Sequence, residues 1–136
     1  MKRHVYDCHV RFSDVDVYGH VNNVKYFEYY QEARIAFIQS LDEPLLDPSA
    51  ESTLRQVVAR IDVDYKRPIL FRPEPYDAWS WLSRVGTRSA TIESVICDGD
   101  TVLSQARVSI VFFDRETQRS TPPPDVYRER LLAVLG

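Results

Sequence analysis

The sequence is poor in the residues that build cross-linked or metal-stapled proteins. Its 136 residues include only two cysteines, one methionine and four glycines. Cys8 and Cys97 lie far apart, each inside an apolar stretch typical of a strand, and they form neither a CxxC pair nor the spacing of a metal site. We therefore expect two buried free thiols in a reduced compartment, and neither a metal nor a cofactor.

An excess of basic charge and long apolar runs are also missing. Seventeen Lys and Arg against 20 Asp and Glu give a formal net charge of -3, whereas nucleic-acid-binding proteins carry basic stripes. No apolar run approaches the ~18 residues of a membrane span, and the first residues lack the apolar segment of a signal peptide. The sequence predicts one cytoplasmic domain over residues 1–136, with no nucleic-acid or membrane partner.

The first third of the chain changes its hydrophobic period once. Residues 4–12 alternate between apolar and polar side chains, which predicts a half-buried strand. Residues 13–23 are rich in Asp, Asn and Gly and predict a turn. Residues 24 to about 41 place apolar side chains at steps of three and four, which predicts an amphipathic helix with Asn22 or Asn23 as its N-cap. The stripe of this helix consists of Tyr26, Tyr30, Ala33, Phe37 and Leu41.

The rest of the chain predicts mainly strands. After a proline-containing loop over residues 42–52, four alternating segments follow, and Asp98-Gly99 predicts a hairpin turn before the last of them. Residues 125–135 predict a short closing helix. One strand, one long helix and four strands in a meander define an α+β protein whose helix buries its stripe against an antiparallel sheet. Apolar residues on more than one side of the helix favour a helix wrapped by the sheet.

The polar turn and the helix start carry a specific motif. The stretch Asp16-Val17-Tyr18-Gly19-His20-Val21-Asn22-Asn23, continuing to Glu32-Ala33-Arg34, resembles the signature of the 4-hydroxybenzoyl-CoA thioesterase-like family of the hotdog superfamily. It is especially similar to bacterial long-chain acyl-CoA thioesterases. A second block, Val57 to Pro68, resembles the strand after the helix in that family. A contiguous match in the expected strand–loop–helix order is far more specific than one short motif.

The resemblance implies a fold, an activity and an assembly. The hotdog fold has a long central helix wrapped by a five-stranded antiparallel sheet. The implied reaction is hydrolysis of a fatty or aromatic acyl-CoA to the free acid and CoA. Because hotdog sites form between two protomers, the resemblance also implies a homodimer or homotetramer.

Thioester hydrolysis needs a carboxylate that attacks the carbonyl carbon or activates water, together with donors for the oxygen that becomes negative. Asp16 precedes a helix whose first N–H groups are unpaired and carry partial positive charge. The resemblance implies Asp16 as nucleophile or general base and the backbone N–H of Asn23 as an oxyanion donor. His20 could orient water or the carboxylate, or could be a hydrogen-bonded loop histidine.

The substrate-binding candidates flank these residues. Tyr18 and Gly19 lie inside the motif, with glycine at the position of a tight turn. Tyr26 packs in the core or lines an acyl pocket. Arginine forks and lysines suit the phosphates of CoA, although surface solubility is the alternative. The basic candidates are Arg60, Lys66, Arg67 and Arg72.

Alternatives remain for the catalyst and for the function. Asp14 is interpreted as a structural turn residue, and the pair Glu28 and Glu32 as a solvated helix face, with Glu32 as the runner-up catalyst. The competing functions are an acyl-carrier-protein thioesterase and a non-catalytic acyl-CoA binding or sensing module. The intact Asp16 argues against the sensor, because a pure binder has no need of a carboxylate facing a thioester.

Overall fold

A computed structural model of the chain describes residues 2–41 and 54–135. They form an antiparallel sheet and two helices, which confirms the α+β class. The elements are β1 Arg3–Cys8, α1 Lys25–Gln39, β2 Leu54–Tyr65, β3 Tyr76–Val85, β4 Ser89–Asp98, β5 Thr101–Asp114, β6 Arg119–Ser120 and α2 Asp125–Leu135. The two-residue β6 adds a sixth strand to the five expected. The predicted loop over 42–52 lies outside the described residues.

The order of the strands differs from the predicted four-strand meander. β3, β4 and β5 do follow one another as a meander, but β2 pairs with β5 and β1 pairs with β3. The sheet order is therefore β1-β3-β4-β5-β2. Alternation predicts which residues form a strand but not which neighbour completes its hydrogen bonds. The long β5 has two edges, and β4 and β2 occupy them.

The first strand is shorter than predicted, since β1 ends at Cys8 and residues 12–14 form a single 3-10 turn. In this turn the buried Asp14 accepts hydrogen bonds from the N–H of Arg11 at 3.2 Å and from the hydroxyl of Tyr29 at 2.6 Å. A buried carboxylate without donors would cost several kcal/mol. The chain leaves the sheet before this turn although its alternation continues, and the turn brings Asp14 to these donors.

Helix α1 confirms the predicted apolar stripe, because all of its members are buried. They belong to two clusters that also contain residues of the strands, so α1 packs on one face of the sheet. The polar end of Tyr30 is satisfied inside this core: its hydroxyl donates to Oγ of Ser104 at 2.7 Å, and that oxygen donates to the carbonyl of Asp64 at 2.8 Å. Neither helix in the described part of the chain has the length and hydropathy of a membrane span.

The start of α1 corrects the predicted cap. The N-cap residue is Val24, in an αR conformation, and no side chain of the described residues caps the helix. Instead, the N–H of Lys25 donates to the carbonyl of Asn22 at 2.9 Å, so a backbone turn leads into the helix. The N–H groups of Asn23 and Val24, which no described residue accepts, remain open to a ligand.

Both cysteines are buried and unpaired, as predicted. Burial raises the pKa of Cys8 to about 12, and burial also raises that of Cys97. Both therefore remain neutral thiols at physiological pH, and they act as small apolar side chains in the packing.

Candidate active site

A cavity of about 510 Å³ lies at the start of α1, between the loop that precedes the helix and the end of β2. Most of the residues predicted for the site line it: Asp16, His20, Asn23, Tyr26, Lys66 and Arg67. The loop of the first motif and the end of the second block, which are far apart in sequence, therefore meet at one cleft. Tyr18 and Gly19 belong to the same loop but do not line the cavity.

The loop holds the carboxylate of Asp16 through its own backbone. Oδ1 accepts hydrogen bonds from the N–H of Tyr18 at 2.8 Å and from the N–H of His20 at 3.1 Å, as in an Asx turn. Gly19 closes the turn with φ of 76°, a left-handed conformation that glycine adopts without steric cost. No group within the described residues donates to Oδ2. One oxygen is thus fixed by the loop, and the other is available to substrate or water.

Buried Asp14 anchors the base of the loop. Its carbonyl accepts the N–H of Asn22 at 2.8 Å, and its carboxylate binds Arg11 and Tyr29. Burial opposes ionisation of Asp14, but the hydrogen bonds from Tyr29 and Arg11 outweigh it, so the pKa of this carboxyl lies below its ordinary value. The interpretation of Asp14 as a structural residue agrees with this geometry, since its carboxylate is directed into the protein rather than into the cavity.

His20 is positioned by the backbone and leaves its ring accessible. The residue forms an isolated β-bridge with Leu70, and the neighbouring carbonyl of Gly19 accepts the N–H of Phe71 at 3.2 Å. Within the part of the chain that the structure describes, the imidazole makes no hydrogen bond. A half-buried histidine that lines the cavity is suited to orient a water molecule beside Asp16.

Two backbone N–H groups at the helix start are unpaired among the described residues. The N–H of Asn22 is occupied by Asp14, whereas the N–H groups of Asn23 and Val24 have no acceptor among the described residues. They lie at the positive end of the α1 dipole. An oxygen that becomes negative would be stabilised there without a cationic side chain.

Tyr65 is a cavity residue that sequence reasoning missed. It is 48% exposed, and its hydroxyl donates to the carbonyl of Asn23 at 3.1 Å. Its ring makes an edge-to-face contact with Tyr26, with the centroids 4.7 Å apart. The alternation of residues 57–65 places Tyr65 with the apolar side chains of its strand, a pattern that gives no sign of a functional role. Its position directly before Lys66 is the available signal.

Tyr26 lines the cavity and is also part of the core. It is 3% exposed, and burial raises the pKa of its hydroxyl, although a hydrogen bond with the backbone of Ile69 opposes this effect. The predicted packing role therefore holds, and the ring also lines this cavity; that the cavity takes an acyl group stays a prediction.

The basic candidates separate into two groups. Lys66 and Arg67 line the cavity, whereas Arg60 pairs with Asp62 at 3.0 Å. Arg72 is engaged elsewhere: it pairs with Asp98 at 2.9 Å and lies 3.8 Å over the ring of Tyr76. Of the four basic candidates for phosphate binding, Lys66 and Arg67 are the two that line this cavity.

The runner-up carboxylate lies elsewhere. Glu28 and Glu32 line a different cleft, of about 590 Å³, between β1 and α1. Glu28 pairs there with Arg11 at 3.2 Å and with Lys25 at 3.4 Å. In that position Glu32 does not share the cavity of Asp16. No group of three or more potential metal ligands occurs among residues 2–41 and 54–135.

A helix packed on an antiparallel sheet in this way is the arrangement of the hotdog thioesterase fold. The family match and the relatives define the chain as a thioester hydrolase. The sequence matches the Thioesterase-like superfamily over residues 10–131, and the chain belongs to this family. The family resemblance noted from the motif is confirmed.

Individual relatives agree with this assignment. The long-chain acyl-CoA thioesterase FadM of Escherichia coli strain K12 is 29% identical over 125 residues, which cover 90% of this chain and 92% of that protein. Among solved structures, the PA2801 protein of Pseudomonas aeruginosa superposes with a TM-score of 0.79 at 30% identity, covering 93% and 95% of the two chains. A thioesterase superfamily structure from Jannaschia sp. CCS1 reaches 0.88 at 20% identity, covering 98% and 93%, and shares the fold.

Proposed function

We propose that the protein hydrolyses a fatty or aromatic acyl-CoA to the free acid and CoA. One observation carries the proposal: the carboxylate of Asp16 and the unpaired N–H of Asn23 line the same cavity. Among the described residues, the loop binds only Oδ1 of that carboxylate. A carbonyl group between the carboxylate and this N–H would meet a negative oxygen on one side and the positive end of a helix on the other.

The reaction follows from this placement. Oδ2 of Asp16 either attacks the carbonyl carbon or removes a proton from a water molecule that attacks it, with His20 orienting that water. The N–H of Asn23 stabilises the negative oxygen of the tetrahedral intermediate. Collapse of the intermediate breaks the C–S bond and releases CoA as a thiolate, which takes up a proton. If Asp16 itself has attacked, water then hydrolyses the resulting anhydride and restores the carboxylate.

The remaining residues of the site bind the substrate in this proposal. Tyr26 lines the acyl end of the cavity, while Tyr18 and Gly19 act through the loop that holds Asp16. The backbone N–H groups of Lys66 and Arg67 each donate to the carbonyl of Leu103 at 3.0 Å, which fixes this segment. Neither side chain takes part in an ion pair within the described residues, so both are suited to the CoA phosphates. Their charges are therefore free for a ligand.

A panel of acyl-CoAs tests the proposal, and we expect release of free thiol from medium or long chains. The same acyl group on N-acetylcysteamine, which lacks the phosphates, should show a KM roughly 10-fold higher or more, since charged hydrogen bonds are lost. An equal KM for both thioesters would remove Lys66 and Arg67 from phosphate binding. Faster hydrolysis of an acyl-carrier-protein thioester would favour that substrate instead. Tight binding of every acyl-CoA without turnover would favour the sensing module.

A homodimer formed along β2 is part of the proposed assembly. The 12-residue β2 ends the sheet, and its partner among the described strands is β5. Val57 and Val58 are 47% and 43% exposed on this strand, and a long edge strand invites pairing with another chain. A second copy paired antiparallel over the full strand would bring the start of its own β2 beside the cavity, so the site would lie between two protomers.

We expect light scattering to give twice the mass of one chain. Replacing Val57 with lysine should shift the protein toward monomer and lower turnover, because a charge on a pairing edge opposes strand addition. The matched control, Val5→Lys on β1, changes an equally exposed valine at the opposite edge of the sheet and should keep the dimer. A monomeric wild type with full activity would exclude the shared site.

The buried free thiols agree with a cytoplasmic location, which we also propose.

A further inference from the structure

We infer that Tyr65 is a positioning residue of this site, whose hydroxyl holds the peptide that precedes the helix so that the oxyanion donors face the substrate. The effect on turnover rests on the proposed function, whereas the effect on the helix start does not. The inference begins from one contact, the hydrogen bond of 3.1 Å from the hydroxyl of Tyr65 to the carbonyl of Asn23.

The contacted peptide lies between two anchored positions. On one side the N–H of Asn22 is bound to Asp14 at 2.8 Å, and on the other the N–H of Lys25 is bound to the carbonyl of Asn22 at 2.9 Å. Among the described residues, no side chain caps the helix. The carbonyl of Asn23 and the N–H of Val24 belong to one rigid planar peptide group. A hydrogen bond to that carbonyl therefore fixes the direction of the Val24 N–H. It also limits rotation about the backbone bonds of Asn23, and so the direction of the Asn23 N–H.

The ring of Tyr65 is itself held in place. It is the last residue of β2, and its edge-to-face contact with Tyr26 is made to a residue that is only 3% exposed. Such aromatic pairs contribute stability beyond the area they bury. The two tyrosines thus join the loop that carries Asp16 and Asn23 to the strand end that carries Lys66, and they fix the distance between the two walls of the cavity.

Placement of donors matters for the rate more than for binding. An oxyanion donor contributes when its N–H points at the oxygen that becomes negative, and small displacements of reacting groups lower turnover substantially. Loss of the Tyr65 hydroxyl would leave the substrate contacts of the cavity wall intact but loosen the donors. The expected signature is therefore a lower kcat at an almost unchanged KM.

The test is Tyr65→Phe, which keeps the ring and deletes the hydroxyl. We expect kcat to fall roughly 3- to 10-fold, as for the loss of one hydrogen bond, with KM within about two-fold of wild type. The matched control is Tyr30→Phe, because the hydroxyl of Tyr30 also links α1 to the sheet. It donates to Oγ of Ser104 at 2.7 Å, inside the core and away from the cavity. This control should lose more stability to denaturant than Tyr65→Phe and keep its kcat.

A second readout does not depend on activity. The amide resonance of Val24 should shift in Tyr65→Phe, because the hydrogen bond to its own peptide group is lost, and should stay in place in Tyr30→Phe. An unchanged kcat, or a KM that rises while kcat is constant, would overturn the positioning role. Should the wild-type protein hydrolyse no thioester, the proposed function fails, and the Val24 resonance alone decides the role of Tyr65: an unmoved signal rejects it.

Discussion

Replacing Asp16 with asparagine is expected to lower kcat by at least ~10²–10³-fold, which is the cost of losing a single oxyanion donor in other enzymes. The amide has no negative oxygen with which to attack the thioester or to accept a proton from water. It keeps an acceptor oxygen for the N–H groups of Tyr18 and His20, which hold Oδ1 in the wild-type loop at 2.8 and 3.1 Å. Turnover of an acyl-CoA and thermal unfolding, measured on the same sample, should show an inactive protein with an intact fold.

The matched control for this experiment is Glu32→Gln, an equivalent change of carboxylate to amide in the other cleft. We expect it to retain wild-type kcat. If Asp16→Asn were fully active, or if Glu32→Gln lost turnover instead, the catalytic carboxylate would have to be sought on α1. A single turnover of the wild-type enzyme in ¹⁸O-labelled water tests for attack by Asp16 itself. Label in the carboxylate of Asp16 is expected only if Asp16 attacks and water then hydrolyses the anhydride at the aspartyl carbonyl. Label in the product acid alone is expected from direct water attack or from hydrolysis of the anhydride at its acyl carbonyl.

The fold and the site could be predicted where local sequence determines local structure. The helical stripe through Tyr30 and Phe37 follows from the period of the apolar residues, and both side chains are 1% exposed. Gly19 was expected in a tight turn, and its positive φ agrees. Asp16 was expected next to the helix start because the motif is contiguous, so loop and helix have to be neighbours in space.

Other features depend on partners that are distant in sequence. The position of β2 beside β5 follows from which strand edge is vacant after the whole sheet has formed, a property that alternation does not encode. Neither asparagine before α1 caps it: the N-cap residue is Val24, and the loop that precedes it is held by the hydrogen bond from the N–H of Asn22 to the carbonyl of Asp14. Tyr65 was overlooked for the same reason: its hydroxyl bonds to the carbonyl of Asn23, 42 residues away in the chain.

The N–H of Asn23 can be tested by removing it with proline. Asn23→Pro deletes one backbone donor, and we expect kcat to fall by ~10²–10³-fold if that donor stabilises the oxyanion. Asn23→Ala keeps the N–H and should retain most of the wild-type rate, because the Asn23 side chain makes no hydrogen bond within residues 2–41 and 54–135 and does not cap the helix. The pair of variants therefore separates the backbone of this residue from its side chain.

Folding has to be measured beside the rate, since proline also restricts the residue before it, here Asn22. The proline lies just outside α1, where it removes no hydrogen bond of the described structure, because the N–H of Asn23 has no acceptor there. The thermal midpoint of the Asn23→Pro variant should consequently lie within a few degrees of that of Asn23→Ala. A folded Asn23→Pro protein with the wild-type rate would exclude this amide from catalysis. Equal losses in both variants would transfer the role to the side chain. A large loss confined to proline is the result expected of an enzyme that stabilises its oxyanion with the exposed amides of a helix.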